Sequence, residues 1–273
     1  MTRPTIAILG AGSLGEIFAR GLIRAGWEPS NIVMAARREE RAREAAEHTG
    51  VETLLDATAA AEGRDVVIVA VKPKDVPGLL EVCAGSITSD QLVISLAAGV
   101  PVSLFEAAMP TVAVVRAMPN TPAAVDEGMT AYCAGSRADE EALKRADEVL
   151  RAVGKTMQLS EDLLDAVTAV SGTGPAYIFL LAEAIGEAAV REGLPRDAAE
   201  QLVEQTLRGA GILLSESHKA PVELRAQVTS PGGTTAAAMH ILEEGGFRAL
   251  VEDAIRAAAQ RSRDMGASAA GTD

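Results

Sequence analysis

Thr5-Ile6-Ala7-Ile8-Leu9-Gly10-Ala11-Gly12-Ser13-Leu14-Gly15 is the stretch that decides the fold. A short aliphatic run passes directly into a G-x-G-x-x-G turn, and a helical pattern from about Leu14 to Ala25 follows. In that setting the string has a physical meaning. The first glycine allows a tight turn, the second lets the backbone approach a pyrophosphate, and the third lets helix and strand pack closely. The anion then lies at the helix N-terminus. Gly10, Gly12, Ser13, Leu14 and Gly15 are therefore expected to cradle a dinucleotide. The bland alternative is a purely structural glycine turn.

Working outward, Asn31 to Ala35, Asp65 to Val71, Gln91 to Leu96, Thr111 to Arg116 and Met129 to Cys133 read as further strands. Helical stretches separate them, including about Arg38 to Thr49 and a charged one from Ala138 to Val153. Strand alternating with helix predicts a doubly wound, Rossmann-type α/β sheet. After about Ser160 no strand is evident. Tyr177 to Arg191 is an apolar helix expected to be buried on most sides, and Pro195 opens the next, toward Leu214. Glu223 to Val228, Thr235 to Glu244 and Phe247 to Met265 complete an all-helical second half. The tail from Gly266 to Asp273 is expected to fray. The domains predicted are thus 1–160 and 161–273.

The chain has 273 residues, is 48% hydrophobic and 23% charged, and carries 25 basic against 38 acidic residues, a formal charge of -13. That balance argues against a nucleic-acid or anionic-membrane partner. Its single Trp, two Tyr and four Phe leave a core of Ala, Val, Leu and Ile, which suits packed helices and buried parallel strands. No apolar run is read as approaching the ~20 residues of a membrane span, and the N-terminus lacks a full signal-peptide pattern. Cys83 and Cys133 form no spacing motif, and His48, His218 and His240 stand far apart. No disulfide framework or metal site is expected, and a reducing cytoplasm is the default location.

The end of the second strand bears on the cofactor. An acidic residue there accepts hydrogen bonds from ribose hydroxyls, but this chain has Ala35-Ala36-Arg37-Arg38. Two guanidinium groups suit a 2′-phosphate, so NADPH is expected, with NADH a weaker possibility. The alternative is a pair of solvated arginines at the start of a surface helix.

Four more segments are informative together: Ala70-Val71-Lys72-Pro73, Ser95-Leu96-Ala97-Ala98-Gly99-Val100, Arg116-Ala117-Met118-Pro119-Asn120-Thr121-Pro122 and Ser171-Gly172-Thr173-Gly174-Pro175-Ala176-Tyr177. With Val228-Thr229-Ser230-Pro231-Gly232-Gly233-Thr234-Thr235 they resemble the pyrroline-5-carboxylate reductases, from Ile6 to about Met265. The resemblance implies an N-terminal Rossmann-type sheet with an all-helical C-terminal dimerisation domain. It implies hydride transfer from NAD(P)H to a cyclic imine, giving proline. It also implies a homodimer that assembles further, commonly to a decamer.

For the site, the resemblance implies that Ala70, Lys72, Pro73, Ala97, Ala98 and Asn120 touch the cofactor. It places the substrate at Glu161, Ser230, Gly232, Gly233, Thr234 and Thr235, with Thr235 hydrogen-bonded to the ring nitrogen. Gln227 stands where the family often has Asn, and Asp56 where a ribose-binding Asn falls. Read from the residues alone, Ser230 to Thr235 offers flexible glycines and then the unpaired N–H groups of a helix start, a fit for a small carboxylate. A plain Thr helix cap is the alternative. A hydroxyacid dehydrogenase-like reductase is a rival, but such enzymes rely on a Lys that Tyr177 to Arg191 lacks. A non-catalytic NADPH sensor is the other rival.

Overall fold

The computed structural model of the chain describes residues 3–269. By contacts the chain forms two compact units: one ends at Thr173 and takes back the chain from Ala257 onward, and the other is Gly174–Arg256.

The first unit is built on strands β1 (Ile6–Leu9), β2 (Ile32–Ala35), β3 (Glu52–Leu54), β4 (Val66–Val69), β5 (Leu92–Ser95), β6 (Ala113–Met118), β7 (Gly128–Ala134) and β8 (Gly154–Gln158). Their order across one sheet is β3-β2-β1-β4-β5-β6-β7-β8. Every residue of β1, β2, β4 and β5 is buried, as strands covered on both faces require. Alternate residues enter different layers. Ile6, Ile8, Met34, Ile68 and Ile94 pack with Phe18 and Trp27 on one face. Ala7, Leu9, Val33, Val67 and Val93 pack with Phe105 on the other. The covering helices are α1 (Ser13–Arg24), α2 (Glu39–Thr49), α3 (Ala57–Ala61), α4 (Val76–Cys83), α5 (Val102–Ala108) and α6 (Glu140–Leu150). β1, β4 and β5 run parallel, and the order of strand addition switches sides between β1 and β4, so the carboxyl ends of β1, β4 and β5 lie side by side at the switch point.

Several expectations need correction. β3 and β8 had no strand signal, being short or exposed edge strands with polar residues, Glu52 and Thr53 in one, Lys155, Thr156 and Gln158 in the other. β7 runs antiparallel to β6; the segment 119–127 is shorter than the ~12 residues a parallel crossover needs. The charged helix stops at Leu150 and tightens into a 3₁₀ turn, Arg151–Val153.

A short α7 (Leu164–Val167) leads into a π-helical turn, Thr168–Gly172, that ends the first unit. The second unit holds α8 (Gly174–Arg191), α9 (Arg196–Glu216), α10 (Pro221–Gln227), α11 (Thr234–Glu244) and the start of α12 (Phe247–Ala269). Contrary to expectation α8 contains no buried residue, and Phe179 and Leu180 are about two-thirds exposed, at 65% and 66%. The helical run Glu161–Arg191 (31 residues) is also long enough, and over an 18-residue window of mean hydropathy 1.3 apolar enough, to cross a bilayer by length and composition, against the reading that no such run exists. The expected fraying of the tail is not seen at 266–269, which continue α12; the remainder, 270–273, lies outside the described residues.

Candidate active site

The glycine turn has the geometry of a phosphate cradle. Gly10 adopts φ +123°, and a Cβ there would meet the Ala70 carbonyl at 2.8 Å, so only glycine lets β1 end against β4. A side chain on Gly15 would run into the Gly10 carbonyl oxygen, which holds α1 tight to the turn. Gly12 differs: nothing lies within 4 Å of where its Cβ would be. It is the N-cap of α1, and no side chain caps that helix. The first-turn N–H groups and the helix dipole are thus directed toward open space beside Gly12, with Ser13 exposed and Leu14 half-buried. A dinucleotide pyrophosphate fits this cradle.

Side chains absent from the sequence reading support the turn from behind. Arg41, on α2, donates from Nε to the Ala11 carbonyl at 2.5 Å and pairs with Glu16 of α1 and with Glu44 at 2.8 Å. Glu16 is buried and also faces His48 Nδ1 at 3.2 Å. A buried carboxylate on α1 requires such partners. The signal was present in Glu16, a charge on the otherwise apolar face of a helix.

Arg37 and Arg38 are both exposed beyond the end of β2. Arg37 reaches across to the turn after β4, donating from Nη1 and Nη2 to the two Asp75 carboxylate oxygens at 3.1 Å each. Lys72 is exposed and Pro73 half-buried at the start of the 3₁₀ turn that carries Asp75. Ala97 is buried and Ala98 half-buried just past β5. The structure thus brings Gly10 to Gly15, Ala70 to Pro73 and Ala97-Ala98 to one edge of the sheet, outside the strand carboxyl ends where open α/β sheets take ligands.

Asp56 caps α3, accepting from Thr58 N at 2.8 Å and Ala59 N at 3.3 Å. Asn120 uses both ends of its amide within the protein: Oδ1 accepts from Met129 N at 2.8 Å, and Nδ2 donates to the Ser171 carbonyl at 3.1 Å.

Glu161 belongs to a polar cluster in the first unit. Its Oε1 accepts from Val102 N at 2.8 Å and from Arg116 Nη1 at 3.1 Å. Arg116 is buried on β6, with Nη2 3.9 Å from Asp165, whose Oδ1 accepts from Ser262 Oγ at 2.6 Å. The cluster borders a cavity of about 440 Å³ that Gly99 also lines. Arg116 was missed as a site residue, although a lone arginine inside an apolar strand must find carboxylates.

The loop Ser230 to Thr235 lies in the second unit. Gly233 N donates to the Ser230 carbonyl at 3.1 Å, closing a turn with Gly232 at φ +69°. Gly233 is the N-cap of α11, so Thr234 and Thr235 occupy its first turn and no side chain caps it. Thr235 is half-buried, and its hydroxyl has no hydrogen-bond partner among the described residues. The plain Thr-cap alternative is therefore not what the structure shows.

A glycine cradle at the switch point of a mostly parallel sheet, followed by a helical unit, defines a dinucleotide-dependent oxidoreductase. Family models sharpen this: residues 5–99 match "NADP oxidoreductase coenzyme F420-dependent", and 161–265 match "Pyrroline-5-carboxylate reductase dimerisation". The chain is 41% identical over 266 residues to the pyrroline-5-carboxylate reductase of Corynebacterium melassecola, covering 96% of this chain and 98% of that one. The corresponding structure from Coxiella burnetii superposes with a TM-score of 0.89 at 39% identity, over 97% of this chain and 99% of that one. One from Plasmodium falciparum, solved with NADP bound, gives 0.88 at 28%, with the same coverages. The chain belongs to the pyrroline-5-carboxylate reductase family. It is an NAD(P)H-dependent oxidoreductase with an NADP-binding N-terminal domain and a C-terminal domain that makes it a homodimer. α8, with its exposed apolar surface, lies within the residues that match the dimerisation family.

Proposed function

We propose that the chain reduces L-1-pyrroline-5-carboxylate with NADPH, completing L-proline synthesis, and that Thr235 serves the reacting nitrogen. The observation that carries this is the Thr235 hydroxyl, unpartnered on the first turn of an α11 capped by glycine. Residues 1–160 then form the cofactor domain and 161–273 the substrate-binding and dimerisation domain. When bound, the nicotinamide supplies the hydride, and the difficult step is the cofactor's own.

The imine carbon takes that hydride and the nitrogen takes a proton, leaving a secondary amine. Thr235 Oγ1 orients the nitrogen and passes on a solvent proton. Ser230, Gly232, Gly233 and Thr234 form the turn around the carboxylate. Gly233, its own N–H turned to the Ser230 carbonyl, caps α11, and the free N–H groups of the first turn that begins at Thr234 face the anion. Glu161, fixed by Arg116 and the Val102 amide, borders the substrate. The small Ala97 and Ala98 let a flat ring lie against the backbone, beside Ala70, Lys72 and Pro73. Arg37 and Arg38 favour NADPH over NADH through the 2′-phosphate. The enzyme works in the cytoplasm, as dimers that assemble to a decamer.

Steady-state kinetics on Thr235→Ala and Thr235→Val test the assignment. Both should lose roughly thirtyfold in kcat/KM for the imine, the worth of about 2 kcal/mol in one hydrogen bond to developing charge. NADPH affinity and melting temperature should hardly move. Unchanged kcat/KM in both variants would remove Thr235 from the reacting centre.

A further inference from the structure

Asn120 ends the loop after β6, half-buried, facing the π-helical turn Thr168–Gly172. In that turn Thr173 N donates to the Thr168 carbonyl, five residues back, at 2.8 Å, and Thr173 Oγ1 bonds the same oxygen at 2.9 Å. A Cβ on Gly172 would lie 2.5 Å from Met118 Cε, so the turn packs directly on the end of β6. An α-helix would give the Ser171 carbonyl the amide of residue 175 as its donor. Residue 175 is a proline and has none. Asn120 Nδ2 supplies the missing donor at 3.1 Å, while Oδ1 accepts from Met129 N at 2.8 Å. The orientation of the amide follows from its neighbours: a flip would set oxygen against oxygen and N–H against N–H.

We propose that Asn120 is a positioning residue for the reaction: its amide substitutes for the N–H that Pro175 lacks and pins the last turn before the chain enters the unit bearing Thr235. The segment from Glu161 to Thr173 is then tied to the sheet at both ends. Arg116 and the Val102 amide hold Glu161 at its start, and Asn120 holds Ser171 near its finish. The proposal rests on the reading that Glu161 and Thr235 serve the imine. It assigns Asn120 an effect on the substrate rather than direct contact with NADPH.

The test is a cycle of Asn120→Asp, Pro175→Ala and the double variant, prepared as the assembled enzyme. Asn120→Asp keeps the acceptor for Met129 N and replaces the donor to Ser171 with a carboxylate oxygen that repels that carbonyl. It should lower kcat/KM for pyrroline-5-carboxylate roughly tenfold, with NADPH affinity, read by fluorescence titration, changed less than about twofold. Pro175→Ala restores an N–H at position 175 that can bond the Ser171 carbonyl as it turns from the carboxylate, so the double variant should recover part of that loss, at least about threefold. Hydrogen exchange at the Thr173 amide, read without turnover, should quicken in Asn120→Asp and slow again in the double variant. NADPH affinity falling in step with kcat/KM would overturn the proposal, as would absence of recovery by Pro175→Ala. An inactive parent chain would sink the functional reading instead, and the exchange result would still decide the clamp.

Discussion

Replacing Arg116 by methionine keeps an unbranched side chain on β6 and removes the cation that Glu161 and Asp165 share. Its side chain is 8% exposed, while those of Glu161 and Asp165 are 39% and 23% exposed. Removing one partner of a buried pair costs about 3–5 kcal/mol, chiefly because the remaining charge is left uncompensated. Here both carboxylates reach water, so the lower end applies, about 3 kcal/mol. For a chain of this length each kcal/mol is worth roughly 2 °C or more, so the melt should move down by about 6 °C. Adding Glu161→Gln and Asp165→Asn removes the uncompensated charges and should return roughly half of the loss. The assay is circular dichroism melting at fixed protein concentration, since dimerisation makes the midpoint concentration-dependent. An Arg116→Met melt within about 1 °C of the parent would refute the reasoning. So would a triple variant less stable than the single one.

Three further outcomes are expected. Arg37→Ala should raise KM for NADPH and leave that for NADH nearly unchanged, whereas Asp75→Asn, by releasing Arg37 from its bidentate pair, should lower KM for NADPH by up to ~5-fold, the worth of an exposed ion pair; equal effects on both cofactors would remove the arginine from the 2′-phosphate site. Gly12→Ala places a methyl group in the open space of the cradle, so KM should rise more than about tenfold for both cofactors while stability falls by less than ~1 kcal/mol; normal cofactor kinetics would displace the pyrophosphate from this turn. Burial pushes the thiols of Cys83 and Cys133 up to about 11 from 9.0. The folded state thus keeps both protonated, and the contribution these two groups make to stability is intact below about pH 9 and declines as pH rises toward 11. Labelling by a thiol reagent at pH 8 should therefore await unfolding, and rapid labelling of the native protein would contradict it.

The strands of the nucleotide-binding half were legible because burial on both faces writes them as unbroken runs such as Val66-Val67-Ile68-Val69. β3 and β8 were not, because an edge strand carries polar residues and borrows its conformation from a neighbour's hydrogen bonds. The glycine cradle was readable for the opposite reason, since the positive φ of Gly10 and the close approach of Gly15 to the Gly10 carbonyl are needs set within a few residues of the turn. Arg116, Arg41 and Asp75 escaped notice because their partners are distant in sequence. A solitary charge in a strand or helix announces a need for a partner without naming it. The exposure of α8 was misread for a related reason: its composition demands burial, but composition does not say by which chain.

That last feature has a kinetic side. A newly made chain bears Phe179, Leu180 and their apolar neighbours uncovered until it meets a twin, and encounters slow in proportion to dilution. Specific activity should accordingly decline in stocks diluted toward the dissociation constant, with a lag on reconcentration as subunits find one another again. During that interval the same apolar ridge invites chaperones or aggregation, so expression level and refolding concentration govern the yield of active protein as much as the stability of either unit does.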